Sequence, residues 1–231
     1  MHLHDLTHYL AELSDNNNRA WFVMNKPRYD ILREEFLTLV THVITQIAKF
    51  DPLIIDCNPK KALFRINRDV RFAKDKSPYK TTFSAAIVPG NLKKPSQGGG
   101  PMYYFQINAK GDLFFAVGEY MPPTDRLKQI RTHVAKDGAN LTKLLKDKKL
   151  QTTFGSLRED DKLQRPPKGF DSDHPHIELI KLKHYMVHTQ VPVSNFKSDR
   201  QTEVLIKTLV SGYKDAYKLV CWLRDTDDMV R

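Results

Sequence analysis

The chain has 231 residues, 40% of them hydrophobic and 28% charged, with ordinary glycine and proline content. It is long enough to bury a core, and its composition is neither fibrous nor disordered. An excess of Lys and Arg gives a formal charge of +10 and a pI near 9.5, which favours nucleic acid, phosphorylated metabolites or anionic surfaces as partners.

The N-terminal MHLHDLTHYLAEL lacks a basic region followed by an apolar run. No stretch approaches the roughly 18 to 20 apolar residues of a membrane span. The expectation is a cytoplasmic protein with no membrane partner. Cys57 and Cys221 stand in no metal or redox spacing, so no disulfide is expected.

Leu6, Tyr9, Leu10 and Leu13 recur at helical spacing and predict a short amphipathic helix ending at the polar run 14–18. A longer helix follows, with Asn25 as its cap, Pro27 in its first turn, and an apolar stripe of Ile31, Phe36, Leu39, Val40, Val43, Ile44 and Ile47. From Ala62 the period changes to two. Residues 63–72, 81–88, 102–108 and 113–120 read as strands, the last two joined by a hairpin turn at 109–112.

Thr124 is the expected cap of the next helix, which carries Leu127, Ile130, Arg131 and Val134, and a shorter helix spans 141–145. Residues 151–173 read as largely irregular. Asp173 is the expected cap of a helix starting at His174 and Pro175, before a strand over 184–193. A final helix from about 200 to 223 contains Gly212, and a Gly-rich loop occupies 95–101. Strands in the middle with helices at both ends predict a single α+β domain, a central antiparallel meander flanked by N-terminal and C-terminal helices.

Residues 65–80 set six cations, Arg65, Arg68, Arg71, Lys74, Lys76 and Lys80, against two carboxylates, Asp69 and Asp75. Alternation over 63–72 places Arg65, Asn67, Asp69 and Arg71 on one face, where Asp69 can orient either arginine toward an anion. The other reading is a charge ladder whose members satisfy one another. Ser77 and Pro78 form a turn whose N–H groups favour an anion, with Lys76, Ser77, Tyr79 and Lys80 around it.

Ser77 and Lys80 match S-x-x-K, but the companion elements of serine acylases are missing and chance accounts for the spacing. Nine histidines provide no recognisable metal set, so neither metal nor cofactor is expected. The glycine run precedes a strand rather than a helix, so it is a hairpin tip and not a nucleotide loop. Tyr103, Tyr104, Phe105, Phe114, Phe115 and Tyr120 occupy both faces of the meander. Such rings beside basic residues suit single-stranded nucleic acid, and covering helices would hide them equally well.

FRINRDVRFAKDKSPYKT, with NNNRAWF at 16–22 and RPPKGFDSDHPHIELIKLK at 165–183, resembles a widespread family of uncharacterised bacterial and fungal proteins, a domain of unknown function. The resemblance spans nearly the whole chain and implies one domain without naming a reaction. It reaches Asn18, Arg19, Trp21, Phe22, Phe64, Arg65, Arg68, Asp69, Arg71, Phe72, residues 74–81, and 166–175 except Ser172. Ala73 replaces the family's usual Ser, and His176 its usual small residue.

The leading expectation is a basic pocket for a phosphate-bearing or carboxylate ligand. Arg65, Arg68, Arg71, Lys74, Lys76, Ser77, Tyr79 and Lys80 would line it, and Tyr79 with His174 would shape or protonate. Asp69 and His174 are the acid/base candidates if the protein is an enzyme. Broad nucleic-acid binding and a purely structural or interaction role are the alternatives, and the oligomeric state is open.

Overall fold

The computed structural model describes residues 2–90, 100–196 and 200–226. Of the Gly-rich loop, residues 95–99 lie outside the described residues. The fold is α+β, with helices flanking a four-stranded antiparallel sheet in the order β1 (Thr82–Ile87), β2 (Met102–Asn108), β3 (Asp112–Glu119), β4 (Tyr185–Pro192). The β2–β3 turn forms because the Asn108 carboxamide accepts from the N–H groups of Lys110 and Asp112 at 2.9 and 3.0 Å, while Gly111 supplies a φ of +78°.

Two compact units make up the chain, Met1–Pro95 with Tyr104–Phe115 and Gln190–Ser211, and Ser96–Tyr103 with Ala116–Thr189 and Gly212–Arg231. In the first, α1 (Leu3–Asp15) buries Leu3, Leu6, Tyr9, Leu10 and Leu13 at helical spacing. A short helix α2 (Arg19–Met24) follows, which periodicity does not reveal. Its cap is Asn18, whose side chain accepts from the Trp21 N–H at 3.0 Å.

Helix α3 (Lys26–Ile47) begins where expected, but Asn25 does not cap it with its side chain; the amide donates instead to the Trp21 carbonyl at 3.0 Å. The expected stripe is buried from Phe36 to Ile47, and only its first member differs, for Ile31 is 63% exposed and Leu32 is buried in its place. Phe36 meets Phe83 of β1 and Phe105 of β2, each with 5.4 Å between ring centres, and this aromatic contact joins helix to sheet. Between them, α4 (Pro59–Ala62) is capped by Asn58 and leads into the basic segment.

In the second unit α5 (Thr124–Leu145) consists of two helical stretches joined at a kink, where Asp137 leaves helical geometry with φ −127° and ψ 20°. Thr124 is its first helical residue and not its cap; Pro123 holds that place without a side-chain bond. Part of the region expected to be irregular is helical, because Asp147 accepts from Lys149 N–H and Leu150 N–H and starts α6 (Lys148–Phe154). Glu119 and Arg126 form a buried, two-pronged ion pair, and Arg126 also donates to the Leu223 carbonyl at 2.8 Å.

The helix expected from His174 is only the four-residue α7 (Ile177–Ile180), and Asp173 does not cap it. The final helix breaks at Ala216 into α8 (Gln201–Asp215) and α9 (Tyr217–Arg224). Gly212 stays helical inside α8 and is buried.

Candidate anion-binding site

Residues 63–72 do not form the expected strand. They run antiparallel to 78–85 through two isolated bridges, Leu63 with Ala85 and Asn67 with Tyr79, and three backbone bonds. Phe64 N–H donates to Ser84, Lys80 N–H to Ile66 and Arg68 N–H to Pro78, at 2.8 to 3.0 Å. The outcome is an irregular two-stranded arm with a loop over 69–77.

The expected alternation survives in exposure even without a ladder. Arg65, Asn67, Asp69 and Arg71 are exposed, whereas Phe64, Ile66, Arg68 and Val70 are buried or half-buried. Phe72 breaks the pattern and stands 96% exposed.

Both carboxylates of the arm are already engaged. Asp69 accepts Nε of Arg71 at 2.9 Å and its terminal nitrogen at 2.7 Å, a forked geometry that holds its carboxyl down at about 2, chiefly through the Arg71 side chain. Asp75 accepts the Ser77 hydroxyl at 2.6 Å, the Ser77 N–H at 2.9 Å and the Arg68 guanidinium. Those bonds, led by Ser77, push its pKa well below the usual carboxylate range.

The lysines pair with backbone. Lys76 Nζ donates to the Val70 carbonyl at 3.0 Å, and Lys80 Nζ to the Arg65 carbonyl at 2.9 Å while sitting 5.1 Å from the centre of the Phe64 ring. Burial, with Arg65 nearby, lowers the Lys80 pKa. Among the described residues, Arg65 and Lys74 make no ion pair.

Tyr79 is buried and stacks on Phe22 of α2, with 4.0 Å between ring centres and 19° between planes. Asn17 supports the same point: its side-chain amide donates to the Tyr79 carbonyl at 2.9 Å and accepts from the Tyr79 N–H at 3.0 Å. The segments NNNRAWF and KDKSPYKT therefore meet in space, and the first unit anchors one root of the loop. A shallow cleft near the base of the arm is lined by Tyr29, Arg33, Leu63, Phe64 and Ser84 among others; none of the eight expected ligand residues reaches it.

Residues 5–222 match the family described as conserved hypothetical protein DUF2461. The chain belongs to that family. No curated protein and no solved structure matches it. Membership in DUF2461 therefore carries no reaction with it, and the chemistry rests on the residues.

His174 lies in the second unit, where its Nδ1 accepts the N–H of His176 at 3.1 Å and its carbonyl accepts that of Ile177 at 2.9 Å. One ring nitrogen is thus committed to holding the turn. His176 packs its ring over Gly138 of α5, where a Cβ would lie 2.5 Å from ring carbons. Among the described residues no group of three or more His, Cys, Asp or Glu could hold a metal, and no helix is long and apolar enough to cross a membrane.

Proposed function

We propose that the arm over residues 63–80 binds a phosphate-bearing or carboxylate anion, and that it does so on an open surface rather than in an enclosed pocket. The observation that carries this reading is the state of the two carboxylates. Arg71 occupies Asp69, and Arg68 with Ser77 occupies Asp75, so among the described residues the surplus positive charge of the loop is balanced by no further carboxylate. Among the described residues Arg65 and Lys74 offer donors that no carboxylate takes, and Arg71, oriented by Asp69, keeps N–H groups on its outer edge.

Binding fits this arrangement better than acid/base catalysis. A carboxyl held at about 2 stays ionised near neutral pH, which suits Asp69 to orienting Arg71 and not to donating a proton. The test is calorimetric titration with tripolyphosphate and with citrate at low salt. Arg65→Ala and Arg71→Ala should each weaken binding by roughly tenfold, the scale of one charge-assisted contact. Unchanged binding in both variants, with a lower melting temperature, would assign the charges a structural role.

A further inference from the structure

Resting on the anion-binding reading, we propose that the natural partner is single-stranded nucleic acid, with phosphates on the cations of the arm and a base stacked on Phe72. All twelve phenylalanines lie within the described residues, and Phe72 alone among them is exposed. It stands between Arg71 and Lys74 at the open end of the arm, with the Arg71 guanidinium carbon 5.9 Å from its ring centre. A solvated aromatic face flanked by cations is the combination that binds unpaired bases without regard to their identity, because every base has a π-face and every nucleotide a phosphate.

A second set of rings continues from the stem. Phe64, in the arm itself, meets Tyr104 of β2 edge-on at 6.0 Å, and Tyr104 meets Phe114 of β3 at 6.2 Å. All three are half-buried, in contrast to the fully buried Tyr103, Phe105 and Phe115 on the other face, and Lys80 lies over the first of them. The arm thus carries two ring–cation contacts, Phe72 with Arg71 and Phe64 with Lys80, and the second continues into Tyr104.

An anionic membrane would also attract the cations, but insertion draws on a cluster of apolar side chains. Phe72 is the one exposed apolar residue between 63 and 80, so membrane insertion is the less favoured occupant.

The experiment follows fluorescence anisotropy of a labelled oligothymidylate of roughly fifteen nucleotides, within the ~4–16 nucleotides such sites span. It compares the intact chain with Phe72→Ala, Phe72→Trp and Arg71→Ala. Expected are a Kd that rises steeply with salt, about tenfold weaker binding for Phe72→Ala, retained binding for Phe72→Trp, and quenching of the added tryptophan emission on stacking. Phe72 is solvated, so Phe72→Ala leaves the fold intact.

Oligonucleotide binding that falls in Arg71→Ala and stays unchanged in Phe72→Ala would overturn the stacking proposal and leave anion binding standing. A blue-shifted, brighter emission of Phe72→Trp with phosphatidylserine vesicles, and none of these effects with oligonucleotide, would assign the surface to membranes instead. Failure to bind either oligonucleotide or tripolyphosphate would overturn both readings.

Discussion

The side-chain amide of Asn17 grips both backbone groups of Tyr79, donating to its carbonyl and accepting from its N–H, across 62 residues of sequence. An asparagine amide used this way replaces one rung of a β-ladder at the point where the arm leaves the sheet. Phe22, five residues further on, stacks on the ring of the same tyrosine, so backbone and side chain are fixed together.

Replacing Asn17 by Ala removes two part-buried hydrogen bonds. Urea denaturation should show a loss of about 1–3 kcal/mol, and the Tyr79 amide should exchange with solvent markedly faster. Asn17→Asp keeps the acceptor and loses the donor, so its stability should fall between the two. Equal protection of Tyr79 in Asn17→Ala would show that the arm is held by the Phe22 stack alone.

Gly138 and His176 form a matched pair. In the intact chain Gly138→Ala drives a methyl group into the imidazole and should cost about 1–3 kcal/mol. In a His176→Ala background the same change should stabilise by up to about 1 kcal/mol, since alanine is the better helix former and the space is then open. A double-mutant cycle of melting curves measures the reversal. Equal effects in both backgrounds would mean that the ring moves aside freely.

His133 is buried beside Trp222, 4.2 Å between ring centres, and among the described residues neither of its nitrogens makes a hydrogen bond. Burial lowers its pKa below the ordinary 6.5, against the pull of Asp137 and Asp225 and with the help of Lys136 and Arg126. As pH falls below about 6.5 the unfolded chain takes up a proton that the folded chain resists, so stability must fall with pH in that window. Thermal melts between neutral and mildly acidic pH should show a shallower decline for His133→Phe than for the intact chain.

The expectation of one domain gives a further test, because the two tryptophans report separately on the two compact units, Trp21 on the first and Trp222 on the second. A single cooperative domain requires Trp21→Phe and Trp222→Phe variants to show coincident fluorescence and circular-dichroism transitions in urea. Two separated transitions would divide the chain into independently folding parts.

In β2 the period-two pattern coincides with burial, and the strand has the bounds the sequence predicts. β1, β3 and β4 are buried in longer runs, yet each lies within one residue of its predicted bounds. The arm misled differently. Its alternation is real in exposure, but whether an extended segment joins a ladder depends on hydrogen bonds to its neighbour, and here these are intermittent. Ile31 and Leu32 are adjacent apolar residues, and helical spacing separates them: Leu32 lies four residues before Phe36 and shares its buried face, whereas Ile31 turns outward.

Short elements were harder still. Helix α6 has seven residues, too few for periodicity, and its one local signal is Asp147 before Lys148-Lys149-Leu150. Asn17 was invisible as a contact to Tyr79 for a different reason. Nothing local announces a bond across 62 residues; only its place in the NNNRAWF segment hinted that it mattered.

The cations of the arm are proposed to bind an external anion. That binding is tested most directly by recording amide and arginine Nε resonances of the ¹⁵N-labelled chain during titration with tripolyphosphate at low salt. Anion binding by the arm should give saturable shifts concentrated between residues 65 and 80, largest at Arg65, Arg71 and Lys74. Shifts centred elsewhere, or none at saturating ligand, would contradict it.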